Sequence, residues 1–84
     1  MSDRVDPGDI EFSTFVISLA SNAAMQLDAA HPAFDLALAR QTIDILAMLE
    51  VKTAGNLSAA ELDLLRGLLY QTRLAWSEAM KSAT

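Results

Sequence analysis

Apolar residues recur at steps of three and four along most of the chain, which is the spacing of one face of an α-helix. In the first such segment the recurring residues are Phe12, Phe15, Val16, Leu19, Ala23 and Leu27. The pattern predicts a helix near residues 10–28. Its N-cap is open between Asp9 and Ser13, because both side chains can accept a hydrogen bond from a free backbone amide and neither has a clear partner.

A second periodic segment predicts a helix near residues 36–53. Pro32 disfavours helical geometry at the residue before it and therefore marks the first connection. Asp35 is a candidate N-cap, although Pro32 at a first-turn position would start the helix earlier. Apolar residues surround most of this helix, so we expect it to be the central and most buried element.

The second connection carries the clearest local signals in the chain. Lys52 lies where a cation complements the C-terminal end of a helix, and Gly55 can take the left-handed conformation that closes one. Ser58 and Glu61 then have the S-x-x-E spacing of a capping box. This box predicts a third helix at residues 59–80, followed by a frayed end.

Short connections place sequential helices antiparallel, so the pattern predicts an all-α, three-helix, up-down-up bundle. Residues 1–8 combine Asp, Arg, Pro and Gly without apolar periodicity. We interpret them as a mobile tail in front of a single helical domain at residues 9–81.

The third helix carries apolar residues on two sides. Leu65 and Leu69 belong to its broad core face, whereas Tyr70 and Leu74 lie nearly opposite, with Gly67 one turn before Tyr70. Because a chain of 84 residues has a small core, apolar surface outside that core indicates a partner. We expect self-association to complete the bundle, as a two-fold dimer formed through the second and third helices. The predicted interface residues are Ile45, Met48, Gly67, Tyr70 and Leu74.

Composition argues against most catalytic classes. The chain is 52% hydrophobic and 20% charged, which fits one folded domain, and its net charge of −5 disfavours binding to nucleic-acid phosphates or anionic lipids. Cysteine is absent and His31 is the only histidine, so the sequence offers no thiolate nucleophile, disulfide or cysteine-based zinc site. We predict that the protein is not an enzyme and has no catalytic residue, metal or cofactor.

No membrane or export signal is found in the sequence. The uncharged stretch 12–27 is interrupted by Ser, Thr, Asn and Gln, and a membrane span needs about 20 mostly apolar residues. The first residues lack the apolar segment of a secretory signal. We therefore expect a cytoplasmic protein with neither membrane nor nucleic-acid partners.

Two motifs carry a family resemblance. F-S-T-F-V-I-S-L-A lies in the first helix, and residues 39–57 read A-R-x-x-I-D-x-L-x-M-L-x-x-K-T-x-G-N-L. The chain thereby resembles a family of small bacterial proteins, domain of unknown function 1844, from Phe12 to about Trp76. The resemblance implies an all-helical small protein and no activity. It singles out Arg40 and Asp44, which could pair within the helix or be solvated, while Arg40 could also reach a carboxylate on a partner chain.

The leading interpretation is thus a non-enzymatic helical interaction module that self-associates. Two alternatives stay open. An apolar ligand could bind between the helices in a groove lined by Met25, Met48 and Met80, although helix-spaced methionines more often fill the core. The apolar surface could also contact a different protein, which would make the chain a small subunit of a larger complex.

Overall fold

The computed structural model describes residues 11–83 of the chain, with side chains for residues 11–82. The predicted tail at residues 1–8 and the candidate cap Asp9 lie outside the described residues. The described residues fold as three helices, which confirms the predicted all-α bundle. The helices are α1 (Phe12–Leu27), α2 (Leu36–Lys52) and α3 (Ala59–Ala83).

Contacts between helix ends define the up-down-up order. Gln26, in the last turn of α1, accepts a hydrogen bond from Thr42 in the second turn of α2. Glu50, near the end of α2, pairs with Arg66 in the second turn of α3. Sequential helices therefore run antiparallel, as their short connections predict.

The ends of α1 and α3 lie side by side. Leu27, the last residue of α1, lines a shallow pocket together with Ala79 and Ser82 near the end of α3. Phe34 of the first connection lines the same pocket. This contact makes α1 and α3 parallel and closes the bundle.

The core is shared by all three helices. Each pair of helices is in contact. The buried apolar cluster consists of Val16, Ala23, Ile43, Leu46, Leu65 and Leu69, and Trp76 packs against it. Four residues of α2 are buried, against three of α1, but α2 is not covered on all sides, because it also exposes Leu38, Met48 and Val51. Three helices packed around one axis each bury a single side, so the other apolar positions of α2 face outward.

Two helix ends differ from the predicted ones. The N–H of Phe15 donates to the Glu11 carbonyl over 3.2 Å, so the first turn of α1 closes on Glu11 and Ser13 lies inside the helix. The prediction of Ser13 as N-cap is therefore wrong. At the other end α3 continues to Ala83, because no Gly or Pro follows Met80 and Lys81 complements the dipole of its last turn.

Helix α2 begins at Leu36 with Asp35 as its N-cap, as predicted. Oδ1 of Asp35 accepts a hydrogen bond from the N–H of Leu38 over 3.0 Å, and the N–H of Asp35 donates to the Gln26 carbonyl over 2.8 Å. Pro32 lies in the connection before the helix rather than in its first turn. One residue thus caps α2 and ties it to the end of α1.

His31 has a structural role in the same connection. Its Nδ1 accepts a hydrogen bond from the N–H of Ala33 over 3.0 Å, and its side chain is half-buried. Asp28 acts in the same way on the N–H of Ala30, at 2.9 Å. The ring of His31 therefore helps to close a turn in the first connection.

The second connection combines a helix end with a separate turn. Thr53 caps α2, and both its N–H and its hydroxyl donate to the Leu49 carbonyl, over 2.9 and 2.6 Å. Gly55 has φ = 84°, at the third position of a turn closed by the N–H of Asn56 donating to the Thr53 carbonyl over 2.9 Å. Its positive φ is confirmed, although it serves a β-turn after the helix rather than the helix end itself.

Candidate interaction surface

The outer side of α3 carries an open patch. Gly67, Tyr70 and Leu74 follow one another at steps of three and four and share the side that points away from the core. Tyr70 is 69% exposed and Leu74 is 51% exposed. Apart from Arg66, Leu68 and the nearby backbone of α3, no heavy atom of the described chain lies within 4 Å of the position that a Cβ would take on Gly67. We call these three residues the α3 face.

A cleft of about 540 Å³ opens next to the α3 face, where α2, the second connection and α3 meet. Its walls are mainly apolar, and Val51, on its rim, is 75% exposed. Arg66 lines the cleft and precedes Tyr70 by one helical turn, so the cleft and the α3 face form one continuous surface. The lining residues are Glu50, Val51, Thr53, Ala54, Gly55, Leu57, Leu62 and Arg66.

One ion pair crosses this surface. The Nε of Arg66 donates to Oε2 of Glu50 over 2.8 Å, and the arginine side chain is mostly exposed. An exposed pair of this kind contributes about 0.2–1 kcal/mol to stability. Its main effect is geometric, because it fixes the start of α3 against the end of α2 and shapes the cleft between them.

The predicted interface residues of α2, Ile45 and Met48, are one helical turn apart and differ in exposure. Ile45 is half-buried, and its spacing from Thr42 places it on the side that packs toward α1, where Thr42 bonds Gln26. Met48 is exposed on the outward side, one turn before Val51. The structure therefore groups Gly67, Tyr70 and Leu74 on one face, leaves Met48 exposed one turn before Val51 of the cleft, and does not bring Ile45 onto the α3 face.

Sequence reasoning missed Val51 and misplaced Phe15. Val51 belongs to the last turn of α2, directly before Lys52 and a turn. An apolar residue at such a helix end is a signal for an exposed contact position. Phe15 was expected in the core stripe of α1 but is 46% exposed. Val16 and Ala23 define the buried side of α1, and Phe15 lies at the edge of that side, so it is only partly covered.

Other candidate residues form no site within the described chain. Arg40 and Asp44 are both exposed and make no ion pair with each other or with another described residue. Between residues 11 and 83 no three His, Asp or Glu side chains are grouped so that they could hold a metal ion, and no helix has the length and hydropathy needed to cross a bilayer. The methionine groove is not formed around the cleft, since Met25, Met48 and Met80 are absent from its lining.

Comparison with known proteins gives a family and nothing more specific. The family model described as "Domain of unknown function (DUF1844)" matches residues 9–78, which confirms the resemblance seen in the sequence motifs. No curated protein and no solved structure matches the chain.

Proposed function

The chain belongs to the family described as domain of unknown function (DUF1844), and we propose that it is a non-enzymatic helical interaction module that associates with a second copy of itself. The observation that supports this proposal is the exposed apolar side chains of the α3 face, next to a cleft with mainly apolar walls that Arg66 connects to it. A tyrosine, a leucine and a valine are each at least half exposed on that surface. Contiguous exposed apolar residues of this size are typical of protein-protein contact sites.

A two-fold dimer is the simplest assembly that covers such a surface. In a two-fold pair the same patch of both copies forms the interface. One contact therefore buries the exposed side chains of both patches. Tyrosine is well suited to such a position because it combines a large apolar ring with a hydroxyl that can stay wet. The neutral Glu50–Arg66 pair at the rim leaves the surface without a strong charge of one sign.

The proposal assigns no catalytic residue, metal or cofactor to the protein. We further propose that the dimer acts in the bacterial cytoplasm. Gly67, Tyr70 and Leu74 are the contact residues with the most support. Met48 is a contact at the rim, and Ile45 contributes only if the dimer also covers the α1 side of α2.

Sedimentation equilibrium at micromolar concentration tests the proposal. We expect the wild-type chain to sediment with twice its own mass and the Tyr70→Glu variant to sediment as a monomer, because a carboxylate would be buried in the interface. Ile17→Glu is the matched control, since Ile17 is also about half exposed but lies on α1. A wild-type monomer would refute self-association, and a native partner that co-purifies with it would indicate a subunit of a larger complex instead.

A second candidate function is the binding of a small apolar ligand. The cleft of about 540 Å³ has the size of a ligand pocket, and Val51, Leu57 and Leu62 give it apolar walls. Native mass spectrometry of protein purified from cells separates the two functions. A reproducible added mass on each chain would support a ligand, whereas an unmodified multiple of the chain mass would support assembly alone.

A further inference from the structure

Gly67 is the residue of α3 that the single chain does not explain. It lies inside a helix of 25 residues, where glycine is less favourable than alanine. The backbone of Gly67 does not require glycine, since Gly55 is the glycine of the described chain that has a positive φ. A Cβ at Gly67 would meet open space. The isolated chain would accept alanine here, so the missing side chain is useful only to a group that approaches from outside.

Residues on both sides of Gly67 have the spacing of a helix-helix seam. Asp63, Gly67, Tyr70 and Leu74 follow at steps of four, three and four along the outer side of α3, and all four are exposed. This is the spacing of the contact positions of two long helices packed side by side. Arg73 lies at the edge of the same seam, where charged residues of paired helices meet.

We propose that two copies pack their α3 helices antiparallel, with Tyr70 of each copy lying over Gly67 of the other. This inference rests on the proposed self-association and adds the register of the contact. A two-fold axis at the level of Leu68 and Leu69 places the two residues opposite each other in both directions, because they are three positions apart on one side of the helix. The flat ring of tyrosine fits against the helix backbone that Gly67 leaves open.

Charge complementarity selects the antiparallel orientation. In the Gly67–Tyr70 register, Asp63 of one copy lies at the level of Arg73 and Leu74 of the other copy. A parallel pair would instead place Asp63 against Asp63 and Arg73 against Arg73, and like charges facing each other oppose association. Asp63 and Arg73 make no ion pair with another described residue, so both are available to a second copy.

The two charges cannot meet within one chain. They are ten residues apart on a continuous helix, which is about 15 Å along its axis. Charge reversal at these positions therefore changes contacts between copies and leaves the fold of each copy intact. In a dimer of the Asp63→Arg variant, both contacts between positions 63 and 73 would join two arginines. In a dimer of the Arg73→Asp variant, both contacts would join two aspartates. Mixed together, they would form a heterodimer in which both contacts join opposite charges.

The test measures dimerisation by sedimentation equilibrium and the composition of the dimer by native mass spectrometry. We expect each single variant alone to dimerise about tenfold more weakly than wild type, because two attractive contacts become repulsive. An equimolar mixture is expected to recover the wild-type dissociation constant and to consist mainly of heterodimer. Far-UV circular dichroism identical to wild type shows that the helices are intact.

Two other results overturn the register. If wild type dimerises and the single variants dimerise equally well, Asp63 does not meet Arg73. If the mixture dimerises as weakly as each variant alone, positions 63 and 73 do not face each other in the dimer. Either result contradicts the Asp63–Arg73 contact but not the proposed dimer. A monomeric wild type would contradict both the dimer and the contact. The double variant D63R/R73D provides the independent check, since it should dimerise like wild type.

Discussion

Ser58 and Glu61 exchange hydrogen bonds at the start of α3. The N–H of Ser58 donates to Oε1 of Glu61 over 2.8 Å, and the N–H of Glu61 donates to Oγ of Ser58 over 3.1 Å. Two backbone donors that the helix itself cannot satisfy are paired in this way. The bonds also fix the end of the second connection, so they hold one wall of the cleft in place.

Removal of this cap is expected to destabilise the whole bundle. Ser58→Ala leaves the N–H of Glu61 without its acceptor and should lower the free energy of unfolding by about 1 kcal/mol. Ser77→Ala is the control, because Ser77 is exposed inside α3, where alanine is the better helix former. Urea denaturation followed by circular dichroism compares the two variants. Equal stability of Ser58→Ala and wild type would contradict the role of the cap.

Alanine should have opposite effects at the two glycines of the described chain. Gly55 has φ = 84°, so Gly55→Ala forces a side chain into the left-handed region and should cost about 1 kcal/mol. Gly67→Ala should add up to about 1 kcal/mol to stability, because it replaces glycine inside a helix and its Cβ has free space. Thermal unfolding at concentrations where the chain is monomeric measures both. A loss of stability at Gly67 would mean that the single chain itself needs the glycine.

Two buried threonines should respond differently to valine. The hydroxyl of Thr42 lies 2.9 Å from Oε1 of Gln26 in α1 and 3.0 Å from the Leu38 carbonyl, whereas the Thr72 hydroxyl bonds only carbonyls of its own helix. Thr42→Val therefore removes a link between two helices, and Thr72→Val does not. We expect Thr42→Val to cost about 1 kcal/mol more than Thr72→Val in urea denaturation. Similar values for both would show that the bond to Gln26 contributes little.

Local signals explain which parts of the fold could be predicted. The ends flanking the connections follow from side chains that act within four residues, as at Asp35 and Ser58, so the sequence contains the necessary information. The start of α1 lacks such a signal, because Glu11 occupies the N-cap without a side-chain hydrogen bond. The end of α3 lies three residues beyond the predicted one, at Ala83, since nothing in the last residues stops a helix.

The exposed positions of the candidate interaction surface could be predicted only in part, for a tertiary reason. Gly67, Tyr70 and Leu74 share one side because they lie on one helix, and their spacing determines that side. Ile45 and Met48 lie on a helix that is apolar around most of its girth, so spacing alone cannot tell which side packs toward α1 and which toward α3. That choice depends on contacts such as the hydrogen bond between Thr42 and Gln26, which no local pattern specifies.

The two absorbing side chains of α3, Trp76 and Tyr70, lie in different environments. Trp76 is the single tryptophan and packs against the core, whereas Tyr70 is the single tyrosine and is exposed on the α3 face. Intrinsic fluorescence of the indole should therefore follow unfolding, while the solvent exposure of the phenol should follow the proposed association. One unlabelled sample can thus report two equilibria through two chromophores.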